Sequence, residues 1–224
     1  MAGRITGLVA QKKNRERVNV YIEGEFAFGL AMIEALKLHR GQVLSAEDIA
    51  RLKALDEVEV AHEQALNFLS FRPRSASEVR QNLATKQVSE AAIDLVIERL
   101  QAAGLVNDGE FARFWVDNRQ QFNPRGARAL RQELSRKGVP DEVIREALDE
   151  TDETESAYRA ASQRAGRYAG VDRATFYKKL GDFLMRRGYS YPTAREALDR
   201  LWQERLDSSE APEDGYDPNI DNDE

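Results

Sequence analysis

A short pattern occurs three times in the second part of the chain, and it restricts the possible folds more than any other feature of the sequence. In each copy a leucine lies three residues before a basic residue that is followed by a turn. Successive copies are 51 and 50 residues apart. The copies are Leu83 with Lys86, Leu134 with Lys137, and Leu184 with Arg187. Ankyrin and tetratricopeptide repeats have a shorter period of about 33 to 34 residues, so we predict a tandem array of a different helical unit.

Apolar residues follow each turn at three equal offsets, with the spacing of one face of a helix. The aligned positions are Ile93, Ile144 and Ala194, then Val96, Ala147 and Ala197, then Ile97, Leu148 and Leu198. Helix start signals divide each unit further, and Ser75 with Glu78 has the pattern of a capping box. We therefore predict three helices in each unit. One unit is too small to bury its own apolar faces, so the units are expected to stack end to end in an elongated array.

The first part of the chain has a different pattern, with apolar residues alternating at period two and turn residues between the apolar pieces. It predicts a small β-meander with strands at 4–10, 17–22 and 25–30. A helix over about residues 31–38 is expected next, and then a second helix that Ser45 can cap near Asp48. The predicted fold is therefore mainly α, with tandem three-helix repeats preceded by a β-containing extension.

The predicted domain boundaries follow from these patterns. The segments are an N-terminal extension at 1–60, three-helix repeats at 61–106, 107–150 and 151–206, and an acidic tail at 207–224.

Composition excludes several classes of function. The chain has no cysteine, so thiolate metal sites, disulfides and cysteine nucleophiles are excluded. His39 and His62 have no second ligand at helical spacing, and there is no Gly-rich phosphate loop of the GxxxxGK type. We therefore expect no enzymatic activity, no metal and no cofactor.

No apolar run approaches the roughly 20 residues that cross a bilayer, and a cytoplasmic protein without membrane contact is expected.

Charge is distributed unevenly along the chain. The net charge is −6, but residues 207–224 hold eight acids and no Lys or Arg, so the other 206 residues carry +2. This acidic tail has too little apolar content to fold and is expected to be disordered. It either weakens the binding of polyanions by electrostatic competition or serves solubility alone.

Basic residues cluster at similar places in successive units, which could form one stripe for a polyanion or an acidic partner. The alternative is that they are ordinary solvated helix faces and helix C-termini. The candidate binding residues are Arg72, Arg74, Lys86, Arg119, Arg125, Arg128, Arg131, Lys137, Lys178, Lys179, Arg186 and Arg187. Aromatic residues such as Phe111 and Trp115 are assigned to the core unless they are exposed beside this stripe, where they could stack on bases.

Several segments together resemble the RecX family. They are residues 68–75 (FLSFRPRS), 104–108 (GLVND), and 137–139 (KGV), with the N-terminal residues 21–27 (YIEGEFA) similar to the extension of longer members. The resemblance covers roughly residues 4–205. One departure is Gln87, which replaces the glycine expected in the first turn and is disfavoured at positive φ.

The resemblance implies a regulatory protein without enzymatic activity. Members of the family bind the RecA recombinase filament on single-stranded DNA, inhibit its ATPase and strand exchange, and promote filament disassembly, which affects recombination, DNA repair and the SOS response. We expect a monomer that contacts RecA, with direct contact to DNA as an open alternative. The alternative is a direct nucleic-acid-binding protein whose three-helix units act like helix-turn-helix modules.

Overall fold

The N-terminal segment folds into a four-stranded antiparallel sheet. The computed structural model describes residues 2–12 and 14–210. Strands β1 (Gly3–Ala10), β2 (Arg17–Ile22), β3 (Glu25–Ala31) and β4 (Val43–Leu44) have the order β3-β2-β1-β4. The three predicted strands are confirmed. Strand β4 was not predicted because two residues are too short to show a period.

The predicted helix at 31–38 is too long, since helix α1 covers only Met32–Ala35. Turn hydrogen bonds replace helical ones after it, including that from the Leu38 amide to the Ala35 carbonyl at 3.0 Å. The chain then reverses at Gly41, which has φ +92°. This reversal brings β4 back to pair with β1, which a continued helix would prevent.

Helix α2 (Ala46–Leu69) is the longest element and serves two cores. Ser45 caps its start, as predicted, and the Asp48 side chain completes a capping box with it. Leu52 packs in the core under the sheet, whereas Val58 packs in the core of the first repeat. The predicted boundary at residue 60 therefore falls inside a continuous helix.

The rest of the described chain is helical. The first repeat is completed by α3 (Ala76–Thr85) and α4 (Glu90–Ala102). The next helices are α5 (Asp108–Phe122), α6 (Ala127–Arg136) and α7 (Asp141–Asp149). The last are α8 (Glu153–Ala165), followed by a 3₁₀ turn at Gly166–Tyr168, α9 (Arg173–Arg186) and α10 (Tyr191–Glu210). The chain forms two compact units that divide between Phe111 and Ala112.

The repeated turns share one backbone geometry. The residue after each basic residue has positive φ: +63° at Gln87, +72° at Gly138 and +92° at Gly188. In each turn the next amide bonds to the carbonyl of the repeated leucine, which is the Schellman arrangement that ends a helix. All nine aligned apolar positions are buried, which confirms the predicted repeat.

Helices α6 and α9 belong to the second unit and approach each other closely through two glycines. The Gly126 amide donates to the Arg187 carbonyl at 3.1 Å. A Cβ on Gly126 would lie 2.3 Å from the Tyr189 nitrogen, and one on Gly188 would lie 2.6 Å from Ala129. Glycine at 126 and 188 therefore allows the start of α6 to pack directly on the turn after α9.

The predicted acidic tail begins too early. Helix α10 continues to Glu210, so residues 207–210 are helical and the expectation of disorder is wrong for them. The remainder of the tail, 211–224, lies outside the described residues.

Candidate functional site

Several of the candidate cations are held by contacts within the fold. Arg72 forms an ion pair with Glu78, at 2.9 Å between Nη2 and Oε1. The Arg74 guanidinium lies over the Phe68 ring, 4.0 Å from its centroid, and burial lowers the pKa of Arg74. These two side chains support the turn before α3. They were predicted as binding residues, and their geometry gives them a structural role.

Trp115, on α5, lies between two cations. The Arg119 guanidinium carbon is 4.5 Å from the centroid of the indole ring, and Lys137 Nζ is 4.2 Å from it. The indole Nε1 donates to Glu133 Oε2 at 2.8 Å, and Arg119 Nε lies 2.7 Å from the same oxygen. The ring is half-buried, so it retains an exposed part beside two positive charges. Because both cations lie over the indole ring, a base can stack on Trp115 only after one of them moves away from it.

This arrangement continues along the second unit through Glu133. Arg125 Nε lies 3.8 Å from Glu133 Oε1. Besides burial, the positive charge of Arg125 lowers the pKa of the nearby Arg187 guanidinium. The Phe183 ring is flanked in turn by two guanidinium groups, that of Arg187 at 4.7 Å and that of Arg164 at 4.4 Å. We name this set the aromatic–basic strip: Lys137, Trp115, Arg119, Glu133, Arg125, Arg187, Phe183 and Arg164.

The strip has an unbalanced positive charge. Of the eight residues of the strip, five are cations and one, Glu133, is an acid, so the charges of these residues sum to +4. Burial lowers the pKa of the Arg187 guanidinium, and the nearby charges of Arg125 and Arg164 lower it further. An anion bound at the strip would relieve this repulsion, so the strip is suited to phosphates or carboxylates.

A second basic surface lies between α6 and the end of α9. It is a cleft of 550 Å³ lined by Arg128, Arg131 and Arg186, with Asp141 as the acid at its edge. Arg128 Nη2 donates to the Met185 carbonyl at 2.9 Å, so one side of its guanidinium is held by the end of α9. Arg131 and Arg186 are exposed and make no ion pair within the described chain. We name this surface the arginine cleft.

The strip and the cleft divide between them the candidate basic residues that lie within residues 119–137. Successive residues of a helix are turned by about 100°, so Arg128 and Arg131 lie on the opposite side of α6 from Glu133 and Lys137. The single stripe expected from this cluster is therefore wrong for the second unit. The division follows from helical spacing once the bounds of α6 are known.

The predicted equivalence of the three basic turn residues is confirmed in position. Lys86, Lys137 and Arg187 are the C-cap residues of α3, α6 and α9. Lys137 and Arg187 both belong to the strip. Lys86 lies in the other compact unit, and its place on a common face stays a prediction. Lys178 and Lys179 on α9 are exposed and belong to neither surface.

Sequence reasoning missed Arg164 and the central role of Glu133. Arg164 is the last basic residue of α8, outside any cluster, and only the packing of Phe183 against α8 brings it to the strip. Glu133 appeared in the sequence as the lone acid of a basic segment, and this was the available signal.

Over residues 2–12 and 14–210, no three His, Cys, Asp or Glu side chains gather as metal ligands. No helix described is long and apolar enough to cross a membrane.

Tandem three-helix domains with basic surfaces and a small sheet at the start define a class of regulatory binding proteins, and comparison with known families identifies it. Four family models match in succession: Regulatory protein RecX N-terminal domain at 3–45, and the first, second and third RecX three-helix domains at 61–100, 107–148 and 150–198. The chain belongs to the RecX family.

Relatives and solved structures agree with this assignment. The chain is 31% identical over 211 residues to the regulatory protein RecX of Bacillus licheniformis and to that of Bacillus subtilis, covering 92% of this chain and 80% of each relative. A crystal structure of a regulatory protein RecX has TM-score 0.72 at 24% identity, covering 88% of this chain and 99% of the other. RecX from Lactobacillus salivarius has TM-score 0.59 at 26% identity, covering 67% and 97%.

Proposed function

We propose that this protein binds the RecA filament on single-stranded DNA in the cytoplasm and inhibits its ATPase, strand exchange and filament growth. The observation that carries the proposal is the succession of four RecX family models across residues 3–198. A nucleoprotein filament presents phosphates and acidic side chains, and the strip and the cleft offer cations for both. The protein acts by binding and hydrolyses nothing itself.

The two basic surfaces can be tested separately with variants that each remove two positive charges. The strip variant is Lys137→Gln with Arg164→Gln, and the cleft variant is Arg131→Gln with Arg186→Gln. The control is Arg145→Gln with Arg159→Gln, two exposed arginines outside both surfaces. Arg125 and Arg128 are avoided because Arg125 lies beside Glu133 and Arg128 binds the Met185 carbonyl.

The measurement is RecA ATP hydrolysis on single-stranded DNA with increasing amounts of each variant. We expect the parent and the control to inhibit equally. If the strip or the cleft contacts the filament, the variant of that surface should require about ten times more protein for half inhibition. Losing about 1.4 kcal/mol of binding free energy lowers affinity tenfold. A parent protein that leaves ATP hydrolysis and filament length unchanged would contradict the proposed function. Full inhibition by both basic variants would instead place the interface elsewhere.

A second candidate function, direct contact with single-stranded DNA, is favoured by Trp115. Stacking of a base on an aromatic ring contributes about 1–3 kcal/mol, and a cation that the base displaces from the ring can bind a neighbouring phosphate. Without RecA, the parent should bind an oligothymidylate at low salt, and Trp115→Ala should weaken that binding by at least about fivefold. Unchanged affinity in Trp115→Ala would show that no base stacks on Trp115.

A further inference from the structure

We propose that the acidic segment 211–224 of this chain binds its own aromatic–basic strip and competes there with anionic partners. The inference rests on the proposed function only in assigning partners to the strip. The binding itself is a property of this chain alone. Three observations support it: the charge of the strip, the charge of the segment, and the end of the fold at which the segment starts.

The two charges are complementary. The strip carries four positive charges in excess, as described above. Residues 211–224 contain six acids and no Lys or Arg. The six acids are Glu213, Asp214, Asp217, Asp221, Asp223 and Glu224. At an ionic strength near 0.1 M, charges interact over about 10 Å, so such a segment is drawn to the strip whenever it can reach it.

The segment starts at the same end of the third repeat as the strip. Helices α8 and α10 run in the same direction, because Glu155 pairs with Arg200 at 2.8 Å and Arg205 donates to the Tyr168 carbonyl at 3.2 Å. Arg164, one end of the strip, is therefore one helical turn from the carbonyl that Arg205 contacts. The described chain ends one to two turns beyond Arg205.

The length of the segment is sufficient. Fourteen residues reach at most about 46 Å when extended, at about 3.3 Å per residue. The end of α10 lies about five helical residues beyond Arg205, and Arg164 lies about one turn before Tyr168, which together amount to roughly 14 Å along the helix axes at about 1.5 Å per residue. The segment is therefore long enough to reach Arg164 and to continue along the strip toward Trp115. The attached segment also acts at a local concentration in the millimolar range, so even a weak contact competes with a partner in solution.

The proposal is tested by neutralising the segment in the full chain, with each of its six acids changed to the corresponding amide. The indole ¹⁵N–¹H signal of Trp115 is compared between this variant and the parent in about 50 mM and about 500 mM salt. We expect the Trp115 signal to differ between the two chains at low salt and to coincide at high salt, where screening weakens the contact. Identical Trp115 signals at low salt would overturn the proposal.

The same comparison in two further variants of the chain separates a specific contact from a general effect of charge. The low-salt difference should shrink in the Lys137→Gln/Arg164→Gln strip variant and persist in the Arg145→Gln/Arg159→Gln control. A difference that persists in both, or disappears in both, would show that the segment does not bind the strip.

The competition predicts a change in affinity for an external anion. The neutralised chain should bind a fifteen-residue oligothymidylate about three- to tenfold more tightly than the parent at low salt. Equal affinities would contradict the competition. Because RecA is absent from these measurements, their failure is distinguishable from a failure of the proposed RecA inhibition, which is measured by ATP hydrolysis.

Discussion

At the scale of single residues, Gln87 departs most clearly from the repeat. It occupies the positive-φ position that glycine fills at 138 and 188, and its φ is +63°. An L-residue with a side chain in the left-handed region costs roughly 1–2 kcal/mol. We predict that Gln87→Gly increases the free energy of unfolding by about 0.5–1 kcal/mol, measured by chemical denaturation.

The reverse change provides the control for Gln87. Gly104 ends α4 with φ +69°, and no atom lies within 4 Å of the Cβ that a side chain would add. Gly104→Gln should therefore destabilise the protein through backbone strain alone, by about 1 kcal/mol. Stabilisation by both changes, or by neither, would show that positive φ does not determine the stability of these turns.

The helix caps at Asp48 and Asp172 give a prediction about pH. Hydrogen bonds from Ser45 lower the pKa of Asp48 below its ordinary value of 3.8, and the Thr175 amide does the same for Asp172. A carboxylate whose pKa is lower in the folded state stabilises the fold above its unfolded pKa, and this stabilisation is lost as pH falls through the folded pKa. Asp48→Asn and Asp172→Asn should thus reduce stability at about pH 7 and much less at about pH 2.5. An equal deficit of stability at both values would contradict the assignment.

At the scale of elements, the contact between α6 and the turn after α9 depends on Gly126. An added Cβ would lie 2.4 Å from the carbonyl carbon and oxygen of Gly188, which are backbone atoms that cannot rotate away. We predict that Gly126→Ala lowers the free energy of unfolding by about 1–3 kcal/mol. Gly166→Ala is the control, because the space around Gly166 is open. The same loss of stability in both variants would contradict the close-contact explanation.

Elements with a clear period were predictable from sequence, and those positioned by tertiary contacts were not. The repeated helices have three aligned apolar positions each, and β2 alternates Val18 and Val20 with polar neighbours. Strand β4 exists only because Gly41 reverses the chain toward β1. The cluster of cations was visible in sequence, and its division between two sides of α6 follows from helical spacing once the bounds of that helix are known. Arg164 joins the strip through Phe183, which is far from it in sequence.

At the scale of the whole molecule, net charge is a poor guide to binding. The chain carries −6, yet the strip and the cleft concentrate positive charge within the second unit. Binding of an oligothymidylate should therefore weaken as salt rises. We predict that Lys137→Gln lowers the slope of the logarithm of affinity against the logarithm of salt by about 0.7, the contribution of one single-strand phosphate contact. Arg145→Gln should leave the slope unchanged, and an equal change in both would indicate an effect of total charge.

Helix α2 passes without interruption from the sheet to the first repeat. The number of residues between Leu52 and Val58 therefore fixes the angle around the helix axis between the two faces that the helix buries. One inserted residue would turn the sheet by about 100° around the helix axis and move it by about 1.5 Å along that axis. Leu52 would turn together with the sheet and keep its core contacts, whereas the sheet would take a new direction relative to the core that Val58 belongs to. An insertion of seven residues, about two turns, would bring the sheet back to within about 20° of its direction but would move it by about 10.5 Å along the axis. Insertions and deletions in this family should accordingly fall in the loops and avoid this segment, whose fixed length sets the orientation of the sheet.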